Sequence, residues 1–131
     1  MRTHIKAFIY KDKIPDVLSG KCTQTIRPRG KHPVEVGDYI LFHGWESKPY
    51  KSKWSWRMKK VRVFSIIDCS ISREGIASWL GDAFYPWSDT VVTRMAKLDY
   101  INPPTGEALG KLLNSMYDLR KSRPFQIIRW I

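Results

Sequence analysis

The sequence predicts an α+β fold: a small mixed or mostly antiparallel barrel-like sheet with helices packed at its mouth. Three observations carry this. The first half is a series of short runs rich in β-branched and aromatic residues, separated by glycine, proline and polar turns. The second half switches to apolar residues at helical spacing. The last residues, Phe125 to Trp130, return to a strand pattern.

Taken in order, Ile5 to Tyr10 reads as the first strand and Lys11-Asp12-Lys13 as a polar turn. Ile14-Pro15 opens a short helix with Val17 and Leu18 on its apolar side, because proline is tolerated in a first turn. Gly20 ends it. The next strand runs along Lys21 to Arg27 and gives way to a basic loop, Pro28-Arg29-Gly30-Lys31-His32-Pro33, whose prolines and glycine preclude regular pairing. Asp38 to Trp45 is the next strand and Glu46-Ser47-Lys48-Pro49 a turn. A strand pair or one bent strand then spans about Lys53 to Cys69, with Val61 to Ile67 suited to burial. Ser72 caps a short helix that ends near Gly81. Ser88 or Asp89 caps another, with Val91, Val92, Met95 and Leu98 as its stripe. Pro103-Pro104 closes it, and Thr105 starts a last helix with Leu109, Leu112, Leu113 and Met116 inward. Pro124 separates that helix from the closing strand.

A chain of 131 residues supports one core, so residues 1–131 are read as a single domain. The longest apolar runs fall far short of the ~20 residues of a membrane-spanning helix, and the N-terminus lacks the apolar stretch of a signal peptide. Two cysteines, Cys22 and Cys69, make no disulfide framework, so a reduced, cytoplasmic setting is expected. Neither has a partner at metal-ligand spacing, and His4, His32 and His43 are scattered; no metal and no cofactor is expected.

The formal charge of +11 is unevenly spread: residues 1–19 carry an excess of +2, residues 20–62 of +8 and residues 63–131 of +1. In that middle third basic residues alternate with aromatics, through Trp45, Lys48, Tyr50, Lys51, Lys53, Trp54, Trp56 and Arg57. Cations meet phosphates and flat rings stack on unpaired bases, so a nucleic acid is the expected partner. The competing reading gives the tryptophans to cross-strand packing and the lysines to solubility.

The stretch Gly20 to Arg29 concentrates the chemistry. Alternation sets Lys21, Thr23, Thr25 and Arg27 on one side and Cys22, Gln24 and Ile26 on the other, a cradle for an anion or nucleotide. Gly20, Thr25 and Arg27 have the spacing of the G-x-K-x-x-T-x-R motif, and Val36-Gly37-Asp38 before an apolar strand, Asp82-Ala83-Phe84 and the closing strand follow in order. In these pieces the chain resembles the ASCH domains (activating-signal-cointegrator homology), members of the PUA-like fold. Two positions depart from the pattern: Cys22 stands where the motif has lysine, and Ala83 where glycine is usual.

The resemblance implies a PUA-like barrel and binding of RNA or a modified nucleoside or nucleotide. Nucleic-acid contacts are expected from Lys21, Thr23, Arg27, Arg29, Lys31, Lys51, Lys53, Trp54 and Arg57. It also implies an alternative, a hydrolase acting on RNA or on an acylated nucleoside such as N4-acetylcytidine. The catalytic candidates are then Thr25, Lys21 and Asp82, with Glu74 a second choice for the acid and His32 for a ribonuclease. Because Cys22 replaces the lysine, weak amidohydrolase activity is expected, with Cys22→Lys as the change that would raise it. A third reading is a protein-interaction domain, favoured if the basic residues scatter and disfavoured if they line one cleft with Thr25 and Asp82. Oligomeric state is not legible.

Overall fold

The computed structural model describes residues 1–8, 13–45, 54–57, 60–78 and 82–131; of Trp45 and residues 54–57 it describes the backbone. The chain order is β1 (Thr3–Ala7), α1 (Ile14–Leu18), β2 (Gln24–Pro28), β3 (Tyr39–Trp45), β4 (Trp54–Arg57), β5 (Val61–Ser72), β6 (Gly75–Ser78), β7 (Phe84–Pro86), α2 (Thr90–Leu98), α3 (Gly106–Met116) and β8 (Arg123–Trp130). This is a mixed α+β fold on a mostly antiparallel sheet; among the described residues the one parallel pair is β1 with β3.

The 12-residue β5 organises the sheet. Its first residues pair with β3, through Tyr39↔Arg62 and Ile40↔Val61. From Val63 onward it pairs with β8, across a register shift at Val63/Ser65, and its far end also pairs with β6. A bulge bends a strand and increases its twist, so this shift folds the sheet over along β5. The β8 strand then carries β2 on its other side, and β7 follows β6.

Two apolar clusters occupy the two faces. One contains Phe8, Val17, Cys22, Ile40, Phe42, Ile128 and Trp130. The other packs Ile71, Ile76, Phe125 and Ile127 against Val92 and Ala96 of α2 and Leu109 and Leu113 of α3. Both helices start as their sequences dictate: Asp89 accepts from the Val91 N–H at 2.8 Å and Thr105 from the Ala108 N–H at 3.1 Å. Gly110 lies flat beneath the Trp87 ring; an added Cβ would come within 2.6 Å of it.

The expected barrel is not closed. Among the described residues β1 and β2 form no ladder with each other, and the gap between their free edges is crossed by a side chain: Arg27 Nη2 donates to the Ala7 carbonyl at 2.6 Å. The helix expected from Ser72 is a second correction. Those residues turn sharply between β5 and β6, with the Ser72 hydroxyl accepting from the Glu74 N–H and Gly75 at φ 154° lying against the Tyr85 carbonyl. The capping-type serine is used in a hairpin. The motif strand begins later than alternation suggests, at Gln24, and β8 begins earlier, taking in Pro124. Expectations for residues 9–12, 46–53, 58–59 and 79–81 lie outside the described residues.

Asp38 anchors the start of β3. Its carboxylate accepts from the Arg2 and Glu35 N–H groups, each at 3.0 Å, and sits 2.9 Å from His4 Nε2. Burial works to raise its pKa, but these partners together hold it at about 2. A depressed carboxyl stabilises the fold above its unfolded pKa, and that contribution is lost as pH falls through the folded value. Asp38→Asn is therefore expected to cost roughly 2 kcal/mol at neutral pH, and the deficit should shrink between about pH 4 and pH 2. Urea unfolding of both proteins across that range checks it.

Candidate functional site

The gap between β1 and β2 opens into a cavity of about 370 Å³, within the range of roughly 300–1,000 Å³ typical of small-molecule sites. Ala7 and Phe8 form one side, Thr25, Ile26 and Arg27 the back, and Leu112, Met116 and Tyr117 of the α3 region the other side. Lys13 and Asp99 also line it, with Ile101, Leu109 and Leu113.

Lys13 precedes α1, whose first turn needs no side-chain cap because Pro15 stands there. Its stem is buried and its ammonium points inward, 3.0 Å from Asp99 Oδ1 and 5.3 Å from the centre of the Phe8 ring. Asp99 ends α2, its N–H bonded to the Met95 carbonyl. A carboxylate at a helix C-terminus faces the negative end of the dipole. Burial pushes the Asp99 carboxyl up, opposed by Lys13 first and then by Gln24 and Arg27. Gln24 braces the arrangement: its amide donates to the Met95 carbonyl at 3.2 Å while its oxygen accepts from Arg129 Nε at 3.0 Å.

Arg27 is the second cation of the cavity. Its guanidinium lies 5.0 Å from the Phe8 ring centre and 5.9 Å from that of Phe42. Its charge reaches Lys6, whose pKa is lowered by burial and then by Arg27, and His43, lowered chiefly by burial. The back of the cavity is thus electropositive around one neutralised pair.

The structure brings together Thr25 and Arg27 of the residues singled out in sequence. Lys21 is exposed in the turn before β2, so it is not on the Thr25 face, and Thr23 is exposed beyond the strand's start. Asp82 lies in the β6–β7 turn, where its carboxylate accepts from Ser78 Oγ; it does not line the cavity. Glu74 is exposed in the hairpin before β6. Arg29 pairs with Asp68 at 3.5 Å. Lys31 and His32 line a separate, smaller hollow with Arg2 and Glu35. Lys51 and Lys53 lie outside the described residues, as do the side chains of Trp54 and Arg57. Cys22 is wholly buried, its thiol directed at the Gln24 and Leu98 carbonyls and held neutral by burial. A lysine introduced there would compete with the Lys13 ammonium for Asp99, so the gain expected from Cys22→Lys loses its basis.

Sequence reasoning missed Lys13 and Asp99. Lys13 reads as part of a polar turn and Asp99 as a helix end; only the fold joins residues 86 positions apart. Among the described residues no group of three His, Cys, Asp or Glu side chains is arranged to hold a metal ion, and no helix is long and apolar enough to cross a membrane. No family model, curated protein or solved structure matches the chain.

Proposed function

We propose that this chain is an ASCH-like, PUA-like domain that binds RNA or a modified nucleotide, with the base in the cavity between the β1 and β2 edges. The observation that supports it best is the pairing of Arg27 and Lys13 with an apolar, ring-bearing cavity of about 370 Å³. Rings and aliphatic walls accept a flat base, and Arg27 offers a planar fork to a phosphate or carbonyl. The unequal charge of the sequence adds a basic approach.

Single-stranded RNA titrated at several salt concentrations tests this reading. Log affinity is expected to fall linearly with log salt, with a slope of about 0.7 for each phosphate contacted. Salt-indifferent binding, or none, refutes it.

A hydrolase is the second reading, favoured by Thr25 lining the same cavity as the Lys13–Asp99 pair. A threonine hydroxyl needs a base to become a nucleophile, and the ammonium of Lys13 is held by Asp99. Turnover of N4-acetylcytidine that Thr25→Val abolishes would establish it; no turnover leaves the binding domain.

A further inference from the structure

Among the described residues, the outer edge of β2 carries a polar pair that no ladder uses. In an antiparallel ladder, opposed residues alternate between pairs that exchange main-chain hydrogen bonds and pairs that do not. The β2–β8 register is fixed at both ends by bonded pairs: the Trp130 N–H donates to the Thr23 carbonyl at 3.1 Å, and the Arg29 N–H to the Pro124 carbonyl at 2.9 Å. Alternation between these ends bonds Thr25 to Ile128 and Arg27 to Gln126. Gln24 and Ile26 therefore turn their N–H and C=O groups away from β8, towards the gap.

The opposite edge agrees. The Tyr39 N–H donates to the Arg2 carbonyl and the Phe8 N–H to the His43 carbonyl, so even-numbered residues of β1 bond β3. Ala7 faces outward, and its carbonyl is the one that Arg27 meets. The two outward edges look at one another across the cavity, and Ile26 lines it while only 6% exposed.

The positions flanking Ile26 offer little. The Gln24 carbonyl accepts from the Cys22 thiol at 3.4 Å, Pro28 has no N–H, and the Ala7 carbonyl is taken by Arg27. Of the three outward positions of β2, Gln24, Ile26 and Pro28, Ile26 alone keeps both a donor and an acceptor side by side, bonded by no described residue. Strand addition needs a run of complete pairs, and the neighbouring positions supply only single groups, the Gln24 N–H and the Pro28 carbonyl. A nucleobase needs one complete pair, because the pairing edge of each base sets a donor beside an acceptor.

The geometry points to Ile26 as a main-chain reader of a single unpaired base, its N–H and C=O pairing with the base's Watson–Crick edge. This rests on the nucleotide-binding reading above and deepens it: a base engaged by that edge is not paired in a duplex. The side chains of Phe8 and Arg27 hold the flat ligand, and the main chain distinguishes an open edge from a blocked one.

The test uses the full chain, isotopically labelled, and alters the ligand only. The four nucleoside 5′-monophosphates are titrated by calorimetry and by amide NMR. The tightest binder is then compared with its uncharged edge-altered form: 3-methyluridine, 1-methylguanosine, 1-deazaadenosine or 3-deazacytidine monophosphate. The expected result is a movement of the Ile26 amide with the parent and an affinity about tenfold or more weaker for the altered form, since a buried group is left unpaired. Equal affinity for both, with the Ile26 amide unmoved, overturns this inference and leaves the nucleotide reading standing. No binding of any monophosphate or of single-stranded RNA removes both. An Ile26 response to the extended peptide acetyl-TVTVT-amide, and to no nucleotide, overturns it in favour of strand addition.

Discussion

Lys13→Met is expected to lower the unfolding free energy by about 3–5 kcal/mol at neutral pH, the usual effect of removing one partner from a buried ion pair. Both side chains are nearly inaccessible, at 4% and 7% exposure, so bulk water replaces the lost partner of Asp99 poorly. Asp99 also ends α2, where the helix dipole repels a negative charge. The pH dependence follows with a definite sign. Burial already raises the Asp99 carboxyl, and Lys13 is its largest opposing influence, so the variant's carboxyl rises further. A carboxyl whose folded pKa exceeds its unfolded value destabilises the fold fully above the folded pKa and ceases to do so below the unfolded value, about 3.9. The gap between Lys13→Met and wild type should therefore narrow as pH falls from 7 towards about 4. The double variant Lys13→Met/Asp99→Leu should recover most of the loss at pH 7, because an apolar pair has no buried charge to strand. Urea midpoints for the three proteins at several pH values decide it. A single variant as stable as wild type at pH 7 would show that the pair is solvated.

The fold was legible where a local rule has no competitor. The capping residues Asp89 and Thr105 and the stripes that follow them place α2 and α3, since helical periodicity and an N-cap agree. The β-branched run of β5 declares itself in the same way. Ser72 misled because a serine hydroxyl serves a turn as readily as a helix start. Alternation along Lys21 to Arg27 misled because it assumes a strand that begins at Lys21, whereas the ladder to β8 reaches no further than Thr23, and Lys21 is left in the turn.

The candidate site divides along the same line. Thr25 and Arg27 are neighbours on one strand, so their proximity is local and was readable. The Lys13–Asp99 pair joins the start of α1 to the end of α2, and no periodicity or motif encodes it. Asp82 was assigned by the order of short motifs, which fixes sequence and not distance; its hydroxyl partner Ser78 keeps it in its own hairpin. The main-chain pair on Ile26 that no described residue bonds follows from the parity of a ladder, and so becomes visible only when the partner strand and its register are known.

Arg27→Ala is expected to weaken binding of single-stranded RNA or of the preferred nucleotide by about 100-fold, the scale of a charge-assisted hydrogen bond lost from a partly buried site. In the free protein Arg27 spans the two sheet edges, bonding the Ala7 carbonyl and lying beside the Phe8 and Phe42 rings. It therefore holds the cavity's width as well as supplying charge. Arg27→Lys separates these roles: an ammonium retains the charge but offers neither the planar fork nor a face to lie on the rings. If charge dominates, Arg27→Lys should bind within a few-fold of wild type; if the fork and the ring contacts dominate, it should fall most of the way to Arg27→Ala. Thermal unfolding of each variant, run beside the titrations, shows whether a loss of affinity is a loss of fold. The salt series adds a further distinction, since a lost phosphate contact lowers the slope by about 0.7 whereas a lost contact to the base leaves it unchanged. Undiminished binding by folded Arg27→Ala would move the site away from the cavity, to the hollow of Arg2, Lys31 and His32 or to the basic residues of the middle third.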